Sequence, residues 1–205
     1  MLLQNETGCK MIKSMSNKIC NYLIKLNIIK KEEITIYKYG CELFLNGCIN
    51  LFFLVLVGAM FQIIPETIFF LVVFCNIRIY AGGYHATTHS RCIFCTIIGF
   101  ILLMQIVPYL INAELLLFVL MIISFIVIWV LAPISDKNKP LKENEMNRYK
   151  KKTRFLLVNV IFMVFGLYIF CPQMWEYISF SVIAICVVAI LVLAGYIKNT
   201  ILKTA

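Results

Sequence analysis

Between Cys41 and Ile197 the chain is built from long apolar runs separated by short polar connections, and this pattern decides the solvent it folds in. A helix that crosses a hydrocarbon core of about 30 Å needs about 20 mostly apolar residues, because no backbone amide can be left unpaired there. Six segments meet that requirement, at residues 41–61, 67–80, 93–111, 115–134, 155–171 and 175–197. The second is short and carries Arg78 near its end, so it is expected to run on as far as Gly82, with the polar stretch after it at the membrane surface. Composition agrees: 62% of residues are hydrophobic and 14% charged, and the mean hydropathy is +0.91, whereas a soluble domain is about half apolar. The predicted fold class is all-α, a polytopic membrane protein of six transmembrane helices forming a single membrane domain over residues 1–205.

Orientation follows from charge, because Lys and Arg of short loops stay on the cytoplasmic side. All 19 lie in residues 1–40, in the polar break at 78–91, in residues 135–154, or at Lys198 and Lys203. The connections near 62–66, 112–114 and 172–175 contain none. A six-span membrane protein with both termini and the polar break inside accounts for every one of them. Four spans (41–134) are then followed by a basic cytoplasmic loop at 135–154, read as a solvated linker, and by two more spans (155–197). The net charge of +9 needs no nucleic acid to explain it; attraction to anionic membrane lipids and the topology rule suffice.

Residues 1–40 lack the compact apolar core and cleavage site of a signal peptide. Met15, Ile19, Tyr22, Leu26 and Ile29 recur at helical spacing, with Lys10, Lys13, Lys18 and Lys25 largely elsewhere. This predicts an N-terminal amphipathic helix, lying on the inner leaflet or packed on the bundle. The nine cysteines are scattered, most of them within apolar runs, which is no disulfide framework. Only Cys92 and Cys95 adjoin polar chemistry.

The break at 78–95, RIYAGGYHATTHSRCIFC, holds both histidines of the chain. One reading is nucleophilic catalysis: an ordinary thiol, with a pKa of about 8.5, is activated by an imidazole that takes its proton. His85 and Cys92 are seven residues apart, about 10 Å along a continuous helix, so a bend is required, and Gly82 and Gly83 supply one. Those glycines also let backbone amides approach a substrate carbonyl. A second reading is zinc held by His85, His89, Cys92 and Cys95 at plausible ligand spacing, although Cys95 is expected to lie a turn inside the bilayer. A third is structural, polar residues that end two helices. On residues alone the thiol and zinc readings stand level.

The segment RIYAGGYHATTHSRC resembles the core of the accessory gene regulator B (AgrB) family of bacterial membrane cysteine endopeptidases. Arg78, Ala81, Gly82, Gly83, His85 and Cys92 match its pattern position by position, and APISDKNKP is similar to its second loop through Ala132, Pro133, Lys139 and Pro140. The resemblance implies that Cys92 is the nucleophile and His85 the general base, acting on an AgrD-type propeptide. The product is a cyclic thiolactone or lactone, the precursor of a quorum-sensing autoinducing peptide. It also implies a homodimer, and neither a metal nor another cofactor. His89 and Cys95 lie outside the pattern, which weakens the zinc reading.

Gly82, Gly83 and Arg78 are then candidates for substrate binding and oxyanion support, Arg78 through a propeptide carboxylate. No Asp or Glu falls between Glu66 and Glu114, so a carboxylate that orients His85 comes from elsewhere. The candidates are Glu42, which shares a helical stripe with Asn46 and Asn50, and Asp136. The rival from another class is a small peptide transporter, which the chain argues against by lacking an internal repeat or paired broken helices.

Overall fold

The structure, a computed structural model, describes residues 5–84, 89–134 and 143–204. Among them are seven α-helices: α1 (Asn5–Lys25), α2 (Ile34–Met60), α3 (Ile64–Ala81), α4 (His89–Ile111), α5 (Glu114–Leu131), α6 (Glu143–Phe170) and α7 (Trp175–Thr204). Six of these, α2 to α7, are long and apolar enough to cross a membrane. Large side chains such as Leu115, Phe162 and Phe170 stay mostly exposed, at 80%, 75% and 82%, as expected where lipid rather than water is outside.

The chain divides into two compact units, the first made of α1, α2 as far as Val57 and α4 as far as Leu102, the second of the rest. In the first unit α1 meets the start of α2 through Ser16 and Cys20, both buried, as is Ile12. The Ser16 hydroxyl donates to the Lys38 carbonyl at 2.9 Å, and the thiols of Cys20 and Cys41 are hydrogen-bonded. Of the expected apolar stripe, Met15, Ile19, Tyr22 and Leu26 lie exposed, while Ile29 is buried in the turn beyond. The reason is local: small Ser16 and Cys20 allow close approach of the backbones, and the larger apolar residues flank that contact.

In the second unit α7 is the central helix. It packs against α3 and α5, and α3 packs in turn against α6. Ile178, Val182, Ile183, Ile185, Val188 and Val192 are almost fully buried, the mark of a helix enclosed by protein on most sides. Ser179 and Ser181 return their hydroxyls to carbonyls one turn back, so the buried face carries no unpaired oxygen there. Phe118, Tyr168 and Trp175 cluster at one end, and the Trp175 indole donates to the Ile111 carbonyl at 2.9 Å.

At the opposite end the structure departs from the sequence reading. The connection read as a solvated loop over 135–154 is helical from Glu143 onward. Glu, Lys, Arg and Met favour helix, and tertiary contacts fix it: Tyr149 meets the ring of Tyr80 edge-on at 5.7 Å, and Arg154 lies over the Trp129 ring at 4.6 Å. α5 stops earlier than residue 134, because Pro133 drives Ala132 into an extended conformation (φ −77°, ψ 146°).

Candidate active site

α3 ends where its sequence requires. Gly82 has φ 65° and Gly83 φ 114°, conformations that L-residues with a side chain seldom adopt. The Gly82 amide still reaches the Arg78 carbonyl at 3.2 Å, closing the last helical turn. A bend at Gly82 and Gly83 is therefore present.

Two segments distant in sequence hold this turn. Ile134, just past Pro133, donates its amide to the Ala81 carbonyl at 3.0 Å and pairs with Gly82 as a single parallel bridge. A Cβ at position 82 would run into the Ile134 carbonyl oxygen. On another side the Leu191 carbonyl of α7 accepts the Tyr84 amide at 2.7 Å, and a Cβ at position 83 would sit 2.7 Å from that carbonyl oxygen. Arg78 completes the clasp from within α3, its guanidinium donating to the carbonyls of Gly82 and Tyr84. The planar fork of Arg suits two neighbouring acceptors.

Of the residues singled out from sequence, the structure thus brings together Arg78, Gly82 and Gly83, with Ala132 and Pro133 next to them. Cys92 lies in the first turns of α4, half-buried, with its carbonyl accepting the Thr96 hydroxyl at 2.8 Å. Cys95, the other thiol of the zinc set, is exposed one turn on. Glu42, in the same unit as Cys92, is half-buried on α2. In the stripe it shares, Asn50 donates to the Asn46 carbonyl at 3.0 Å, while both side-chain carbonyl oxygens are buried with no donor among the described residues. His85, Asp136, Lys139, Pro140 and the side chain of His89 lie outside the described residues.

Leu191, Gly195 and Ile134 were missed from sequence. For Gly195 the signal was weak: a lone glycine inside an apolar helix can mark a close approach of another backbone, but Gly99 and Gly166 stand in the same kind of sequence with nothing within 4 Å of a Cβ. A Cβ at position 195 would lie 2.7 Å from the Gly83 carbonyl carbon.

These features define a multi-pass helical membrane protein in which a clamped glycine turn closes one span and a cysteine opens the next. Residues 16–198 match the accessory gene regulator B family, and the chain belongs to it. It is 25% identical over 206 residues to an AgrB-like protein of Clostridium perfringens (strain SM101 / Type A), covering 95% of this chain and 96% of that one. It is 26% identical over 184 residues to accessory gene regulator protein B of Staphylococcus saprophyticus, covering 88% of this chain and 94% of that one. No solved structure matches it.

Proposed function

We propose that the chain is a membrane cysteine endopeptidase that cuts an AgrD-type propeptide and closes the released segment into a thiolactone or lactone, with Cys92 as nucleophile and His85 as general base. The observation that carries this reading is the clasped turn. Three segments fix a strip of backbone that leads directly into His85, and the thiol follows at the head of the next span. A base must be held to within about 1 Å of its proton to work, and a turn tied by Arg78, Ile134 and Leu191 is a means of doing so.

In the first step His85 accepts the Cys92 proton and the sulfur attacks the propeptide carbonyl. The tetrahedral oxyanion collapses to a thioester, expelling the amine of the C-terminal fragment, which takes the proton from His85. A thiol or hydroxyl within the bound segment then attacks the thioester. His85 removes its proton and returns it to the Cys92 sulfur as the ring closes. Water competing at this stage gives a linear acid, so a site at the lipid surface favours the ring. Of the amides in the turn, those of Gly82 and Tyr84 are committed to Arg78 and Leu191. The Gly83 amide is the turn's candidate oxyanion donor.

The active site and both termini face the cytoplasm, where the basic segments are retained. Anionic lipid binds α1, whose exposed Met15, Ile19, Tyr22 and Leu26 rest in the leaflet beside Lys13, Lys18 and Lys25. The working assembly is a homodimer, as the family resemblance implies.

The test is to express the chain with the short amphipathic peptide encoded beside its gene and to compare peptide masses from wild type and Cys92→Ala. Wild type should give a truncated peptide one water lighter than the linear fragment, and Cys92→Ala the intact peptide. Equal cleavage by both would remove Cys92 from the mechanism, and intact peptide exported by both would favour the transporter.

A further inference from the structure

The C-terminal half of α7 holds Gly83 and Tyr84 by three separate contacts. The Leu191 carbonyl accepts the Tyr84 amide at 2.7 Å. Gly195 lies flat against the same peptide unit: a Cβ there would be 2.7 Å from the Gly83 carbonyl carbon, 2.7 Å from the Tyr84 nitrogen and 2.9 Å from the Gly83 Cα. The Lys198 ammonium stands 4.9 Å from the centroid of the Tyr84 ring, within range of a cation–π attraction. Leu191, Gly195 and Lys198 follow at i, i+4 and i+7, so they form one face of the helix. That single face binds a backbone donor, a peptide plane and a side chain of residues 83–84.

We propose that this face of α7 is the seat of the catalytic loop and that Gly195 is a positioning residue for the reaction, acting through Gly83 and Tyr84 on His85. The inference rests on the reading of His85 as general base. Tyr84 and His85 are consecutive, with Cα atoms about 3.8 Å apart, so a shift of the Gly83–Tyr84 peptide moves the point from which His85 is attached. The atoms a methyl at 195 would meet are all backbone, and no side-chain rotation relieves the contact. Ordinary contact begins at 3.4 Å against the 2.7 Å found, which obliges the strip to retreat by most of an ångström. A displacement of about 1 Å can cost about 100-fold in a reaction that depends on orientation.

A purely structural glycine would behave differently. Alanine is the better helix former, so Gly195→Ala strengthens α7 locally while displacing what rests on it. Gly166, in α6, has nothing within 4 Å of a Cβ and serves as the matched control.

The experiment uses the full chain in lipid nanodiscs, with a synthetic copy of the peptide encoded beside its gene as probe. Assayed well below its thermal midpoint, Gly195→Ala should lower kcat about 10- to 100-fold with KM within about 3-fold of wild type, while Gly166→Ala keeps the wild-type kcat. A wild-type kcat for Gly195→Ala, or an equal fall in both variants, overturns the seat. Should Gly195→Ala fail to fold, Tyr84→Ala carries the test, since that side chain is exposed: kcat several-fold lower at unchanged KM supports the proposal, and unchanged kcat overturns it. A wild type that leaves the probe whole overturns the reading of His85 and this inference with it, whereas a cleaving wild type matched by Gly195→Ala overturns the inference alone.

Discussion

At the scale of the residue, Gly82 and Arg78 do different work for one turn. Gly82 meets two constraints at once, a positive φ of 65° and the Ile134 carbonyl where a Cβ would go. Gly82→Ala should therefore cost about 1–3 kcal/mol in stability and abolish detectable cleavage, both measurable on purified protein by thermal unfolding and peptide mass. Arg78 spans two carbonyls, which a single ammonium cannot serve in the same geometry. Arg78→Lys should retain the fold and lose at least about 10-fold in kcat with little change in KM. A change confined to KM would instead return Arg78 to the role of binding a propeptide carboxylate. The glycine bend was legible in the sequence because Gly-Gly between two apolar runs has few other uses. The carbonyl partners of Arg78 were not legible, since nothing in the order of residues says which way a guanidinium at a helix end turns.

At the scale of the element, hydrophobic runs gave the spans but understated several helices. α2 starts at Ile34 rather than residue 41, and α6 at Glu143 rather than 155. Hydropathy reports where a helix is in lipid, and a helix that continues into water as a polar, charged segment carries no such signal. At about 1.5 Å per residue the 27 residues of α2 reach about 40 Å, longer than the hydrocarbon core of about 30 Å. For α6 the consequence is testable. Asn147→Pro falls beyond the first turn, so it removes a helical hydrogen bond and costs about 3 kcal/mol. It should lower the thermal midpoint and loosen the Tyr149–Tyr80 contact, seen as faster proteolysis after Lys150–Lys152. An unaltered midpoint would mean that 143–154 is the solvated linker its composition first suggests. The amphipathic helix α1 shows the converse limit: periodicity found its apolar stripe, but Ser16 and Cys20, neither large nor strongly apolar, made the contact with α2.

At the scale of the whole chain, the distribution of charge and the direction of the helices have to agree. In the second unit α3, α5 and α7 end where α6 begins, as Gly82 against Ile134, Tyr80 against Tyr149 and Gly83 against Leu191 require. Arg78, Arg154, Lys152 and Lys198 all sit at that end, and Glu114, Tyr168 and Trp175 at the other. Retention of cations on the inner side of a membrane is the ground for the proposal that this end faces the cytoplasm, and it can be tested directly. Single cysteines placed at the exposed positions Gln62, Asn112 and Gln173 should react with a membrane-impermeant maleimide in intact cells above the background of the native thiols. Cysteines at the exposed positions Asn144 and Lys151 should react only after permeabilisation. Labelling of Lys151→Cys from outside would put the glycine turn on the outer face, beyond reach of a propeptide made in the cytoplasm, and the proposed endopeptidase would then lack access to its substrate before export.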